Sequence, residues 1–383
     1  MCFAAQDIVD YLGSCRQEMA LFLGQLARAE SPTLVPESQK VVFALLAAQL
    51  HDIGYRIRHI KLSNSGGILL ARPPRRRFQP VQLLLGHSDT VWPIGTLEVM
   101  PVEGSGRIIR GPGVFDMKGG LTQTIFALKA IQALGLVPEV TPLVLVNSDE
   151  ETGSIDSHRY IQMLARVANR AFVMEPALGA RGKLKTRRKG FMRFDVTILG
   201  KASHAGLAPE EGASAILELS HIIQKLFALN DPTRGVTVNV GVVNGGSGAN
   251  VVAAKCVAEV DVRFFTSIEA LEVAHRILSL ETVTPGTRVM VEKVGEAPPL
   301  ERTRRNRKLW QTARELAKAI DLDLEEGASG GGSDGNTTSQ FTATLDGLGV
   351  VGDGAHARHE FADGDAMVER AALLALLVLA PPL

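Results

Sequence analysis

Short apolar runs and two kinds of periodicity organise this chain. Leu143-Val-Leu-Val146 and Ala171-Phe-Val-Met174 have no polar face, as does Leu83-Leu-Leu85. Runs this short and continuous predict strands buried on both sides, the kind found in parallel sheets. Between them, Gln39 to Leu50 has helical apolar spacing and ends near Gly54. Leu121, Ile125, Leu128 and Ile131 repeat that spacing over Leu121 to Leu134, before Gly135. Alternation of this kind predicts a mostly parallel sheet flanked by helices.

From Gly190 the period changes to two. Met192, Phe194, Val196 and Ile198 alternate with Arg193, Asp195 and Thr197, which predicts a strand with one wet face. Glu210 to Leu229 predicts a helix with Ile216, Leu217, Leu219, Ile223 and Leu226 inward. Alternating strands follow at Val236 to Val242 and Cys256 to Phe264, then a helix over Ile268 to Leu280 and a strand over Arg288 to Val294. The order β-α-β-β-α-β is that of a ferredoxin-like α+β module. The pattern of the first part then returns, with a strand expected near Leu345 to Val351 and a buried helix at the end. The expected domains are residues 1–189, 190–298 and 299–383, the first and third forming one α/β domain and the second interrupting it. Gly327 to Gly335 is expected to be a loop and Ala71 to Arg77 a basic surface turn.

Five stretches carrying metal-ligand-type side chains follow the strand-like runs. The side chains are His87 in Val81-Gln-Leu-Leu-Leu-Gly-His87-Ser-Asp89, Asp116 in Arg110-Gly-Pro-Gly-Val-Phe-Asp116, and the acids of Asp149-Glu150-Glu151. Glu175 before Pro176 and His356 in Gly354-Ala-His356 complete the set. Strand C-termini of an open α/β sheet converge on one edge, where ligands bind. Two imidazoles and several carboxylates collected there call for cations.

Each motif has two uses. His87 and Asp89, two apart on an extended segment, point the same way. They either share a metal or let Asp89 fix the ring tautomer of His87. Asp116 has two oxygens with which to bridge cations about 3.5–4 Å apart, or it caps the helix that follows. Three adjacent carboxylates repel unless a cation or proton relieves them. One can bind metal while its neighbour moves a proton, whereas an acidic solvent loop is the bland alternative. His356 is favoured over His359 because of its Gly-Ala approach.

Lys+Arg and Asp+Glu both number 41, so net charge recruits neither nucleic acid nor an anionic membrane. Cys2, Cys15 and Cys256 have no paired spacing and suit a reducing compartment. The N-terminus shows no basic segment leading into an apolar core, and the longest apolar run, Ala371 to Ala380, is about half of a membrane span. A cytoplasmic location is expected.

Taken together, His87-Ser-Asp89-Thr-Val-Trp-Pro, Gly-Val-Phe-Asp116-Met-Lys-Gly-Gly, Asp-Glu150-Glu151-Thr-Gly-Ser, Glu175-Pro and Ala-His356-Ala resemble the co-catalytic zinc peptidase family. That family includes glutamate carboxypeptidases, aminoacylases, acetylornithine deacetylases and succinyl-diaminopimelate desuccinylases. Order and spacing match over nearly the whole chain, and Gly330-Gly-Gly-Ser-Asp-Gly-Asn336 and Leu345-Asp-Gly-Leu-Gly are most similar to the glutamate carboxypeptidase branch. The resemblance implies two zinc ions per subunit, replaceable by Co2+ or Mn2+, with Asp116 bridging. His87 and Glu175 would complete one ion, and Glu151 and His356 the other. Glu150 would be the base, Asp89 would orient His87, and a cis peptide would follow Asp116. The interrupting module would be a dimerisation domain whose Gly200-Lys-Ala-Ser-His204 places His204 at the neighbouring subunit's oxyanion in a homodimer. Asn250 and Arg263 would touch substrate. Met117, where some relatives carry Asp, and His359, where an acid is common, depart from the pattern without removing a ligand.

The implied activity is hydrolysis of an amide next to a free carboxylate in a small N-acyl amino acid or short peptide, releasing a C-terminal amino acid such as glutamate. Release of acetate or succinate by a deacylase is the alternative on the same site. A non-catalytic binding protein would be favoured by loss of Glu150 or a ligand, and all are present. A carboxylate-pair glycosidase leaves both histidines without a role.

Overall fold

The computed structural model describes residues 2–74, 80–104 and 106–383, with side chains in the first helix from Ala5 onward. The side chain of Cys2 and residues 75–77 of the expected basic turn lie outside these residues, whereas Ala71 and Arg72 belong to a strand rather than to a turn. Two compact units are present: Met1–Thr186 with Arg302–Ser329 and Ser333–Leu383, and Arg187–Glu301 with Gly330–Gly332.

The first unit opens with helices α1 (Cys2–Ser14), α2 (Arg16–Arg28) and α3 (Gln39–Asp52). Strands β1 (Arg56–Ile60), β2 (Ile68–Arg72), β3 (Val81–His87) and β4 (Ile108–Arg110) follow, then α4 (Gly119–Ala133), β5 (Thr141–Asn147), α5 (His158–Val167), β6 (Ala168–Val173) and β7 (Leu184–Arg188). The second unit contains β8 (Gly190–Leu199), α6 (Ala215–Phe227), β9 (Thr237–Gly245), β10 (Lys255–Phe264), α7 (Ser267–Leu278) and β11 (Arg288–Ala297). The first unit resumes with α8 (Arg304–Lys318), β12 (Glu326–Ser329), α9 (Asp334–Thr338), β13 (Ala343–Leu345), β14 (Gly352–Asp353), β15 (Phe361–Asp363) and α10 (Gly364–Leu379).

A six-stranded sheet, ordered β1-β2-β5-β3-β6-β13, is the frame of the first unit. Its β5-β3-β6-β13 part is parallel, and β1 and β2 add an antiparallel edge. The alternation of side chains along a strand sends Leu84, Val144, Val146 and Phe172 to the core shared with α1, α2, α4 and α10. Leu83, Leu85, Leu145, Ala171 and Val173 pack on the other face with Ile161 of α5. Both faces are therefore dry, which is why these strands read as unbroken apolar runs. Helix α4 comes so close to the sheet that a Cβ on Gly120 would lie 2.0 Å from the Met174 carbonyl oxygen.

In the second unit an antiparallel sheet is ordered β11-β8-β10-β9. Met192, Phe194, Val196 and Ile198 join alternate residues of β10 under α6 and α7. The predicted helix over Glu210 to Leu229 is shorter than expected, because Ser214 caps it by accepting the Leu217 amide. Ile216 and Leu217 face outward, about half exposed, while Leu219, Ile222 and Leu226 are buried.

Two further expectations are corrected. The 327–335 stretch is not all loop: Glu326–Ser329 is a strand and α9 begins at Asp334 with Ser333 as its cap. The strand expected near Leu345 to Val351 ends at Leu345. Gly347 there has φ +76°, and a Cβ on Gly349 would meet the Met174 and Glu175 carbonyls at 2.4 and 2.6 Å. Among the described residues no helix is long and apolar enough to cross a membrane.

Candidate metal centre

The C-terminal ends of β3, β5 and β6 bring His87, the Asp149–Glu151 turn and Glu175 to one edge of the sheet. Asp116 arrives from the turn between β4 and α4, whose Asp116–Met117 peptide is cis. His356 sits in the turn between β14 and β15 with φ +59°, a left-handed conformation that costs a non-glycine residue about 1–3 kcal/mol. The neighbouring His359 is exposed.

His87 Nε2 lies 3.5 Å from Asp116 Oδ1, 3.4 Å from Glu175 Oε1 and 3.9 Å from Glu150 Oε2. His356 Nε2 lies 3.6 Å from Asp116 Oδ2 and 3.1 Å from Glu151 Oε2. The two oxygens of Asp116 thus face different histidines. Ligand atoms about 2.0–2.2 Å from a shared tetrahedral ion are roughly 3.3–3.6 Å apart, close to these separations. Among the described residues His87 Nε2, Asp116 Oδ1 and Glu151 Oε1 are buried without a hydrogen-bond partner, so these ligand atoms fit divalent cations. Ligand atoms of His87, Glu150 and Glu175, and of His87, Asp116 and Glu151, lie within 4.8 Å of one another.

The electrostatics point the same way. Burial pushes the His87 ring toward neutrality, yet Asp116, Asp89 and Glu175 raise its pKa well above that of an ordinary imidazole. The hydrogen bond and charge of Glu151 raise His356 to about 9. Burial, reinforced by Glu175, drives the Glu150 carboxyl well above the usual range. The cluster attracts positive charge on two histidines at once.

Asp89 is fully buried, and its carboxylate serves the neighbouring turn. Oδ1 accepts the Glu150 amide at 3.3 Å, and Oδ2 accepts the Glu151 amide at 3.2 Å and the Thr33 hydroxyl at 2.8 Å. His87 Nδ1 lies 3.0 Å from the main-chain oxygen of Asp89 and 3.4 Å from its Oδ1. Met117, buried, accepts the His87 amide on its sulfur at 3.2 Å.

Behind the acidic turn, Asn147 Nδ2 donates to Ser154, Ser157 and Asp334, and Ser154 donates to Asp334 Oδ1 at 2.5 Å. Burial raises the Asp334 carboxyl to about 7. Glu360, buried beside the Asp116 turn, accepts four hydrogen bonds from Trp92, Gly113, Phe115 and Asp116. The sequence gives Thr33, Asp334 and Glu360 no role, because most of their partners are main-chain amides or distant polar side chains.

His204, Asn250 and Arg263 lie in the second unit. His204 is exposed and its Nδ1 accepts the Gly206 and Leu207 amides at 3.1 and 3.2 Å, which leaves the proton of the neutral ring on Nε2. Asn250 is also exposed, and its main-chain oxygen accepts the Ala205 amide. Arg263 is half-buried and grips Asp261 through Nε and Nη2 at 2.7 and 3.1 Å, so its fork already holds a carboxylate of the chain.

Residues 83–380 match the pattern of Peptidase family M20/M25/M40. Carboxypeptidase G2 of Pseudomonas sp. (strain RS-16) is 28% identical over 374 residues, covering 93% of this chain and 88% of that protein. Acetylornithine deacetylase of Pasteurella multocida is 27% identical over 59% of this chain and 62% of its own length. The crystal structure of aminopeptidase PepT from Bacillus cereus shares the fold, with a TM-score of 0.75 at 19% identity over 94% of this chain and 98% of that one. A carboxylate-and-histidine edge that demands divalent cations, on a sheet and sequence matched from Leu83 to Ala380, has one explanation: the chain belongs to Peptidase family M20/M25/M40 and is a metal-dependent peptidase or amidohydrolase.

Proposed function

We propose that the chain is a metallocarboxypeptidase that hydrolyses the amide next to a free carboxylate and releases a C-terminal amino acid such as glutamate. The observation that carries this is the split of Asp116, with Oδ1 toward His87, which also faces Glu175, and Oδ2 toward His356, which also faces Glu151. These five residues would hold two zinc ions. When bound, such a pair lowers the pKa of a water and draws charge from the scissile carbonyl.

Glu150 reaches into the same space without being needed as a ligand. It would take the water's proton and return it to the leaving amine, work suited to a carboxylate whose pKa burial raises. Asp89 fixes the turn that carries Glu150 and Glu151. His204, with its proton on Nε2, is suited to donate to the oxyanion of a partner subunit's substrate in a homodimer. Asn250 and the remaining Nη1 edge of Arg263 would contact the substrate, and residues 190–298 would form the dimerisation domain. Similarity to carboxypeptidase G2 over nearly the full length supports the carboxypeptidase reading, and similarity to acetylornithine deacetylase keeps a deacylase as the second.

The test is metal content by mass spectrometry, paired with hydrolysis of a panel of N-acyl amino acids and dipeptides before and after chelation. Two zinc per chain with chelator-sensitive release of a C-terminal amino acid is the expected result. Acetate or succinate as the only product would move the assignment to the deacylase. A chain without metal and without metal-restored activity would refute both.

A further inference from the structure

We infer that Glu360 is a positioning residue of the metal centre, a buried carboxylate that fixes the turn presenting Asp116 and ties it to the segments carrying His87 and His356. This rests on the dinuclear reading above. Glu360 is 1% exposed. Its Oε2 accepts the Gly113 amide at 2.9 Å and Trp92 Nε1 at 2.9 Å, and its Oε1 accepts the Phe115 amide at 2.9 Å and the Asp116 amide at 3.0 Å.

Three chain segments meet on this one side chain. Trp92 follows Asp89 by three residues on the segment that leaves His87. Gly113 to Asp116 is the turn that ends in the shared carboxylate. Glu360 itself follows His356 by four residues, and its own amide closes that turn on the Ala357 carbonyl at 3.0 Å. Pairing of Phe361 with Arg110 in the β15–β4 ladder puts Glu360 beside the Asp116 turn. Within that turn, Gly113, Phe115 and Asp116 aim their amides at one point, a concavity that binds an anion. The protein places its own carboxylate there. The main chain of Asp116 is thereby fixed, and with it the point from which its side chain reaches the two histidines. Since Asp116 faces both histidines, loosening it affects both cations.

Glu360→Gln and Glu360→Asp together separate geometry from charge. The amide has nearly the same shape and removes a negative charge from an acidic pocket. It offers one acceptor oxygen and one NH2 group, and the NH2 must oppose one of the two donor pairs. Glu360→Asp keeps the charge, but its shorter reach serves one donor pair well rather than both.

The experiment uses the full-length chain, chelated and then titrated with Zn2+ by calorimetry, alongside kcat, KM and the melting temperature of the metal-free form. Wild type should take up two ions. Glu360→Gln should bind both about 10–100-fold more weakly and lose kcat by a similar factor at saturating Zn2+, with KM within about twofold. Glu360→Asp should fall between the two. A purely structural pin would lower the metal-free melting temperature while leaving Zn2+ affinity and kcat of the folded protein at wild-type values, and that result overturns the inference. If Glu360→Gln does not fold, Trp92→Phe takes its place, since it removes one donor and keeps the carboxylate. A folded Trp92→Phe should bind Zn2+ about threefold more weakly, and wild-type affinity there overturns the inference too. Wild-type protein that takes up no Zn2+ would instead remove the dinuclear reading on which the inference depends.

Discussion

Asp89→Asn exposes how the acidic turn is built. The substitution is isosteric, and the side chain is fully buried, so packing is unchanged and what alters is hydrogen bonding and one negative charge. Oδ1 faces the Glu150 amide and the His87 ring, and Oδ2 faces the Glu151 amide and the Thr33 hydroxyl. One of these oxygens becomes an NH2 group. The less costly placement puts it at Oδ2, where the Thr33 hydroxyl can turn to accept and the Glu151 amide is left opposed by a donor. An unsatisfied buried donor costs about 1–3 kcal/mol, and exchanging a charged for a neutral acceptor weakens the remaining bond by about 1 kcal/mol. The sum is roughly 2–4 kcal/mol.

For a unit of this size that is a fall of roughly 4–7 °C in melting temperature, read by circular dichroism on chelated protein. Displacement of the turn should lower kcat about 10–100-fold. Metal stoichiometry should stay at two, because His87 Nδ1 is hydrogen-bonded to the main-chain oxygen of Asp89, which asparagine retains. An unchanged melting temperature and kcat would refute the assignment of the carboxylate to the turn. Loss of one ion per chain would show instead that the carboxylate, not the main chain, secures the His87 ring.

Glu150→Gln removes the proposed base and leaves the five proposed ligands, so kcat should fall about 100- to 10,000-fold with two zinc ions retained; coupled loss of metal would make Glu150 a ligand. Burial raises Asp334 from 3.8 to about 7 in the folded chain, so stability is fully present below about pH 4 and is lost as pH rises through about 7. Asp334→Asn can still accept from Asn147 and can donate to Ser154, so chelated variant protein should melt at or above wild type at pH 8 and show a smaller decline between pH 5 and 8. A lower melting point at pH 8 would refute that account. If His204 works in the partner's site, mixed His204→Ala and Glu150→Ala subunits should recover one working site per hybrid dimer, and verified heterodimers without activity would place His204 outside the mechanism.

What the sequence displays and what it hides divide along a physical line. Strands β3, β5 and β6 are legible because burial on both faces makes their C-terminal stretches continuously apolar, and the histidines and acids at their ends stand out against that background. The inward face of α6 was not legible. Ala215, Ile216, Leu217, Leu219, Ile222, Ile223 and Leu226 make so much of its surface apolar that periodicity alone cannot choose an arc. The Ser214 cap and the sheet choose it, leaving Ile216 and Leu217 outside. The strand expected over Leu345 to Val351 is displaced to Gly352–Asp353, because glycines at 347 and 349 answer to contacts with Lys185 and the Met174 and Glu175 carbonyls rather than to local propensity.

The same distinction governs the site. A ligand is recognisable by type, since few side chains bind divalent ions. A positioning group such as Glu360 is not, since three of its four partners are main-chain amides, which nearly every residue supplies. Its role depends on a strand pairing, Phe361 with Arg110, that joins positions about 250 residues apart. Asp89 shows both cases in one residue. Its spacing from His87 invites the inference that the two act together, and the main-chain contact agrees. Its carboxylate is directed at Glu150 and Glu151, about 60 residues further on, a connection that exists only after β5 has paired beside β3.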